Sequence, residues 1–93
     1  MDNKYESLKI IRKFITQSYL YLSTEGKQYI SLKYVQRLKK EKLINLYIEI
    51  EKIRYIEKYI KCDFIDTNIG TILDDFKGYC PNYQPDLTNI LKE

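Results

Sequence analysis

At residues 43–60 the sequence reads LINLYIEIEKIRYIEKYI, and this stretch predicts one long helix with two apolar stripes. At about 100° per residue, most of its apolar side chains gather on a broad face that a protein core could cover. A second, narrower stripe is separated from the first by charged side chains, so the helix needs packing partners on two sides. The broad stripe comprises Leu43, Leu46, Tyr47, Ile50, Ile53, Ile56 and Ile60, and the second comprises Ile44, Ile48, Tyr55 and Tyr59.

Two flanking helices are predicted, and each has one apolar face to offer to the central helix. In residues 4–22 the apolar side chains recur at spacings of three and four. After the central helix, Asp66 can cap a helix that ends at Lys77, with Gly78 as its C-terminal stop. Packing among the three helices would bury both stripes of the central one. The faces offered are Leu8, Ile11, Ile15, Tyr19 and Leu22 on the first helix, and Ile69, Ile72, Leu73 and Phe76 on the later one.

Residues 19–39 allow two interpretations. In the helical one, Ser23 or Thr24 caps a second helix that carries Tyr29, Ile30, Tyr34, Val35 and Leu38. In the other, residues 19–22 and 29–32 are strands of a hairpin around Glu25 and Gly26, because tyrosine and β-branched residues favour strands. We favour the helix, since an isolated hairpin is marginally stable. Residues 19–33, YLYLSTEGKQYISLK, are also similar to the wing strand and last helix of winged-helix regulators.

The predicted fold class is all-α: a small four- to five-helix bundle around a long central helix, forming a single domain over residues 1–93. The alternative is an α+β fold with a hairpin near residues 19–35. A continuous helix over residues 28–61 would be about 50 Å long, so we expect a break near residues 39–42. Asp86 can cap a last short helix that bears Leu87, Ile90 and Leu91.

The composition argues against an enzyme. The 93 residues include no histidine, which removes the usual general base and the commonest metal ligand. We therefore expect neither a metal site nor a cofactor. Cys62 and Cys80 are too few for a structural zinc site, and we expect two unlinked thiols in a reducing compartment. No apolar run approaches the roughly 20 residues needed to cross a bilayer, and the N-terminal residues lack the apolar region of a signal peptide. We expect a cytoplasmic protein without a membrane span.

Charge is distributed unevenly along the chain. Residues 1–62 contain 14 Lys and Arg against 7 Asp and Glu, whereas residues 63–93 contain 2 against 6. Such a dipole orients charged partners and accelerates their binding. The densest basic segment is the candidate for a nucleic-acid phosphate backbone. It comprises Lys33, Arg37, Lys39, Lys40 and Lys42, with Lys9, Arg12 and Lys13 on the outer face of the first helix as further contributors.

The acidic C-terminal part holds the second candidate surface. Asp74 and Asp75 lie near the C-terminal end of a predicted helix, where the helix dipole disfavours acidic side chains. Tyr79 and Tyr83 follow in a loop rich in turn-forming residues, GYCPNYQP. These tyrosines either fold back onto the core or serve as anchors for a partner, a role in which tyrosine is frequent.

The stretch ILDDFKGYCPNYQPDL, residues 72–87, resembles the tail of the colicin D-type immunity proteins. These are small cytoplasmic helical bundles that occlude a partner toxin nuclease. The resemblance covers about a sixth of the chain and extends to Asp74, Asp75, Tyr79, Cys80 and Pro81. It implies that the acidic pair and the tyrosine contact a protein. The basic residues 1–62 depart from the overall acidity of that family.

We therefore predict a small protein-binding inhibitor: an immunity protein, an antitoxin-like protein or a phage-encoded antagonist. It would occlude a toxin or effector by steric and electrostatic means. The alternative is a small basic nucleic-acid-binding regulator that uses residues 33–42, and a homodimer through the second stripe stays open. The predicted protein-binding residues are Asp63, Asp66, Asp74, Asp75, Tyr79 and Tyr83.

Overall fold

The predicted central helix is present and organises the chain. In the computed structural model, which describes the backbone of residues 3–88 and the side chains of residues 8–88, the secondary structure is helical and contains no strand. The elements in order are α1 (Asn3–Leu20), α2 (Thr24–Lys27), a 3₁₀ turn (Val35–Arg37), α3 (Lys40–Tyr55), a π-helical turn (Ile56–Ile60), α4 (Ile69–Asp74) and α5 (Phe76–Tyr79). Within these residues the fold is all-α, as predicted.

The core is built on the broad stripe of α3. Leu43, Tyr47, Ile50 and Ile53 are buried there, followed by Ile56 in the π-helical turn. Aliphatic side chains of α1 and α4 fill the remaining space, and each fully buried one contributes about 1.5–3 kcal/mol to folding relative to its exposed state. The stripe prediction is thus confirmed in its central part. The other buried apolar side chains are Ile11, Ile15, Leu22, Ile30, Ile69, Ile72 and Cys80.

The second stripe of the central helix is only partly covered. Ile44, Ile48 and Tyr55 are half-buried, but Tyr59 is 55% exposed, so the expectation that it joins the core is wrong. The backbone explains the difference, because Lys61 N donates to Ile56 O at 2.8 Å, a bond that spans five residues instead of four. The second stripe was assigned by assuming a rotation of about 100° per residue. The wider turn changes this rotation, and Tyr59 therefore faces solvent.

The segment after α1 forms neither of the two predicted structures. Ser23 does cap a helix, since its hydroxyl accepts from Gly26 N at 3.2 Å, but that helix ends at Lys27. Residues 28–34 continue as turns and irregular chain, so both the long second helix and the hairpin are wrong. The similarity to a winged-helix wing is not supported either, because residues 19 and 20 are the last turn of α1.

The packing of residues 30–32 explains why the chain leaves the helical conformation. Ile30 is buried and Leu32 is half-buried, whereas Tyr29 and Ser31 are exposed. Residues two apart lie about 200° apart on a helix but on the same side of an extended chain. Both aliphatic side chains can therefore reach the core only if this segment is not helical. The 3₁₀ turn follows, and α3 begins at Lys40, so a continuous helix over residues 28–61 is absent, but the interruption covers residues 28–39 and lies mostly before the predicted break near residues 39–42.

Helix α2 is short, but together with its cap Ser23 it connects the π-helical turn after α3 with α4. Ser23 N donates to Glu57 Oε1 at 3.0 Å, and the Ser23 hydroxyl also bonds the Glu57 carboxylate. On the other side, Glu25 Oε2 accepts from Ile69 N at 3.3 Å, at the first residue of α4. Gly26 is buried against α3 between these contacts. Residues 23–26 therefore hold together segments that are far apart in sequence.

Helix α4 begins and ends at residues other than those predicted. Its cap is Asn68, whose Oδ1 accepts from Thr71 N at 2.7 Å, so the assignment of Asp66 as the cap is wrong. The helix ends at Asp74, and Asp75 adopts a non-helical φ of −126° and ψ of 52°. Gly78 does not stop the helix, because it lies inside α5. The break at Asp75 starts a new turn, in which Asp75 O accepts from Gly78 N and Tyr79 N, both at 3.1 Å.

The C-terminal residues are described as far as Thr88. Asp86 Oδ1 accepts from Thr88 N at 3.1 Å, the contact expected of a capping aspartate, and this bonding to Thr88 lowers the pKa of the Asp86 carboxyl. The Ile90 and Leu91 part of the predicted last helix lies outside the described residues.

We predict that Gly26→Ala destabilises the protein by about 1–3 kcal/mol, the usual cost of an overpacked core. A Cβ at this position would lie 2.9 Å from Ile53 Cγ2 and 2.9 Å from Glu57 Oε2, and Ile53 is fully buried. Urea denaturation followed by circular dichroism measures the change.

Gly78→Ala is the matched control. The atoms nearest to its Cβ would be those of the Asp75 carboxylate, an exposed side chain that can move, and alanine favours the helical conformation of α5. We expect unchanged or slightly higher stability for this variant. Equal losses in the two variants would contradict the role assigned to Gly26.

Candidate functional site

A groove of about 890 Å³ lies between α3 and the C-terminal segment. We call it the C-terminal groove. Half-buried apolar side chains of Ile48, Leu73 and Phe76 line it, and the exposed carboxylates of Asp74 and Asp75 stand beside them. Lys52, Lys77, Cys80, Pro81, Tyr83 and Pro85 complete the lining. Apolar lining with a few charged groups is typical of a binding groove.

The break between α4 and α5 shapes this groove. It allows Phe76 to pack edge-on against Tyr83, with ring centroids 5.1 Å apart, and Tyr83 in turn packs edge-on against Tyr55 at 5.0 Å. Lys52 Nζ lies 5.1 Å from the centre of the Phe76 ring. A cation over a ring is held there by about 0.5–1 kcal/mol at an exposed site. Phe76 and Tyr83, with Tyr55 behind them, form what we call the aromatic wall, and these half-buried rings pack against the core.

Tyr83 is a structural part of this wall. Its hydroxyl is buried and has no hydrogen-bond partner among the described residues. Burial, followed by the negative charge of Glu51, raises the pKa of Tyr83 to about 12. Of the two roles that the sequence left open for this tyrosine, the structure places it against the core. Its half-buried ring still presents one edge to the groove.

Tyr79 connects the groove region to the turn after α3. Its half-buried ring packs edge-on against Phe64 at 5.0 Å. That turn is closed by Lys61, whose Nζ donates to Ile65 O at 3.2 Å and to Thr67 O. Asp63 and Asp66 lie on this turn and are exposed. The structure thus brings Asp74, Asp75 and Tyr83 together in one groove, and places Asp63 and Asp66 outside the groove lining.

The predicted basic residues lie on the 3₁₀ turn and around the start of α3. Lys33, Arg37, Lys39, Lys40 and Lys42 are all exposed. Lys39 stands at the N-cap of α3 with no side-chain capping bond, although positive charge is unfavourable at a helix N-terminus. The ion pair found among the described side chains joins Arg54 and Glu51, at 3.1 Å, and involves none of these basic residues. Their charge is therefore not neutralised by a described carboxylate.

Sequence reasoning missed two features of these surfaces. Lys52 and Ile48 line the C-terminal groove although they belong to α3, more than twenty residues before Asp74. Arg12 of α1 reaches the 3₁₀ turn, where its Nη2 donates to Gln36 O at 3.3 Å. The spacing of apolar and charged residues along the chain gives no indication of either contact. Only the unusual acidic pair at the end of a predicted helix pointed to the groove.

The two cysteine thiols are free, with Cys62 exposed and Cys80 buried. Burial raises the pKa of the Cys80 thiol, which favours its protonated form. In the part of the chain with described side chains, acidic and cysteine residues form no group of three that could hold a metal ion. None of the helices described has the length and apolar character required to cross a membrane.

No protein-family model matches the chain, and neither a curated protein nor a solved structure matches it. The resemblance of residues 72–87 to the colicin D-type immunity proteins therefore stays a prediction.

We predict that Tyr83→Phe makes the protein less sensitive to alkali. Above pH 10 the unfolded chain ionises Tyr83, whereas the folded chain keeps it neutral up to about 12. The free energy of unfolding of the wild type therefore falls as the pH rises through this window. The phenylalanine variant lacks this contribution, and circular dichroism at increasing pH should show a shallower loss of structure.

At neutral pH the same variant should be as stable as the wild type or more stable. It removes a buried hydroxyl without a partner, a group whose desolvation costs about 1–3 kcal/mol. Tyr59→Phe, at an exposed position, controls for the loss of one tyrosine hydroxyl. A destabilised Tyr83→Phe protein with an unchanged alkaline profile would show that the hydroxyl has a partner.

Proposed function

We propose that this protein binds another protein through the C-terminal groove and inhibits it by covering a basic surface. Its class would be that of a small inhibitor: an immunity protein, an antitoxin-like protein or a phage-encoded antagonist. The observation that supports this is the pairing of exposed carboxylates with an aromatic and aliphatic lining in the same groove. Asp74 and Asp75 form no ion pair with a described side chain, so their charge is available to a partner.

The groove suits an arginine or lysine side chain of the partner. The aliphatic stem of such a side chain would pack on Leu73 and Phe76, while its charged end meets Asp74 or Asp75. Lys52 and Lys77 line the same groove and limit how far a cation can enter. They would favour a partner whose basic residue reaches the carboxylates from the rim.

The mechanism proposed is occlusion. A rigid aromatic wall loses little conformational freedom when a partner docks, because Tyr83 and Phe76 are already held by each other and by Tyr55. The carboxylates steer the partner and set the orientation of the complex. Asp63, Asp66 and Tyr79 would extend the contact along the neighbouring turn. The proposal involves no reaction and no cofactor.

We predict that Asp74→Lys or Asp75→Lys weakens the complex at least about tenfold, which corresponds to about 1.4 kcal/mol. The partner to test first is the product of the neighbouring gene, with affinity measured by isothermal titration calorimetry. The charge reversal opposes a basic partner surface and leaves the described core untouched.

Glu41→Lys is the matched control. It makes the same change of charge at an exposed position in the basic segment, outside the groove lining. Asp66→Lys reports whether the neighbouring turn takes part. Equal affinity of the wild type and both groove variants would contradict the proposal, and so would an equal loss in the Glu41 variant, which would indicate a response to net charge alone.

A further inference from the structure

The contact between Arg12 and Gln36 joins two basic clusters that are separate in the sequence. Arg12 Nη2 donates to the carbonyl oxygen of Gln36 at 3.3 Å, which holds the 3₁₀ turn against the outer side of α1. A cleft of about 460 Å³ opens there, with Lys9, Arg12 and Lys13 on one side and Gln36 on the other. Lys33, Tyr34 and Arg37 are not part of the cleft lining, but they lie on and just before the 3₁₀ turn that this bond holds against α1. We call Lys9, Arg12, Lys13, Lys33, Tyr34 and Arg37 together the basic face.

The charge of the basic face is uncompensated within the described part of the molecule. Lys9, Lys13, Lys33 and Arg37 are exposed. None of them, nor Arg12, forms an ion pair with a described carboxylate. The Arg12 Nε atom is buried and has no described hydrogen-bond partner. A concentration of cations with nothing to neutralise them favours an anionic ligand.

An exposed aromatic ring stands among these cations. Tyr34 is 54% exposed, with Lys33 Nζ 5.3 Å and Arg37 Cζ 5.7 Å from the centre of its ring. Both cations are attracted to the ring, and a base that stacks on Tyr34 would take the place of one of them. Cations interspersed with an exposed aromatic ring are the features by which proteins bind single-stranded nucleic acid, with phosphates on the cations and bases on the rings.

We propose that the basic face binds single-stranded nucleic acid. Arg12, Lys13 and Arg37 contact successive phosphates, and one base stacks on Tyr34. A duplex keeps its bases stacked on one another and offers no free base to that ring, so single strands should bind more tightly than duplexes. The site shares no residue with the lining of the C-terminal groove, and this proposal does not depend on the protein-binding function.

The test is fluorescence anisotropy with labelled 15-nucleotide oligouridylate and oligothymidylate at about 50 mM salt. We expect saturable binding by the wild type, with affinity that falls steeply as salt is raised, because phosphate contacts release counterions. Tyr34→Ala should weaken binding at least about fivefold, as expected for the loss of one stacked base. Tyr34→Phe keeps the ring and should bind like the wild type.

The chain contains a closely matched control. Tyr59 is 55% exposed, and Lys58 Nζ lies 5.3 Å from the centre of its ring, but neither residue belongs to the basic face. Tyr59→Ala and Lys58→Gln should leave affinity unchanged, whereas Lys33→Gln and Arg37→Gln should lower it. Circular dichroism of each variant confirms that the helices are retained.

Several outcomes would overturn the proposal. The first is the absence of binding at low salt, and the second is equal affinity for a duplex of the same length. A third outcome is that Tyr34→Ala binds the oligonucleotides as tightly as the wild type and that heparin displaces them as well as unlabelled oligonucleotide does. The basic face would then be a site for any polyanion. Binding to phosphatidylserine vesicles but not to either oligonucleotide would assign it to a membrane surface instead.

Discussion

The close approach of Gly26 to α3 is the contact on which the arrangement of the helices depends. Without a side chain at this position, α2 lies directly on Ile53 and Glu57, so that Ser23 reaches the Glu57 carboxylate and Glu25 reaches the first amide of α4. One turn of helix thereby links the first, central and last parts of the chain. The core beneath is almost entirely aliphatic and could pack in more than one way. The polar contacts of Ser23 and Glu25 supply directional constraints that select one arrangement.

The two candidate surfaces differ in how they are built. The C-terminal groove has a wall of packed aromatic rings, with carboxylates at its side, and so offers shape as well as charge. The basic face is made of mostly exposed side chains from α1 and from the region of the 3₁₀ turn, which one hydrogen bond from Arg12 joins. A groove of defined shape favours recognition of one particular partner, whereas exposed cations around a single aromatic ring can bind nucleic acids of many sequences. The uneven charge of the chain therefore corresponds to two different kinds of surface.

The elements that the sequence predicts well are those governed by helical periodicity. The central helix, the burial of Ile50 and Ile53 and the cap at Ser23 all follow from spacing and local side-chain chemistry. Three features lie beyond such reasoning: the π-helical turn that exposes Tyr59, the break at Asp75 and the non-helical path through Ile30 and Leu32. Local spacing gives no signal for any of them, and the last one accompanies the packing of both aliphatic side chains against the core. The sequence singles out Asp74, Asp75 and Tyr83 but not the groove that they line, and the contribution of α3 to that groove could not be foreseen, because no local pattern links Lys52 to Phe76.

The contact between Glu25 and the amide of Ile69 has a consequence for the motions of the protein. It joins residues 44 apart in sequence, on either side of α3. We expect the amide hydrogens at the buried positions of α3 to exchange slowly with solvent, because their exposure requires the core to open. The turn at residues 62–67 is held by two bonds from Lys61 and by the packing of Phe64 on Tyr79, but most of its side chains are exposed, and we expect it to open more readily than the core. Slow amide hydrogen exchange in α3 together with fast exchange in that turn would mean that the turn opens independently of the core.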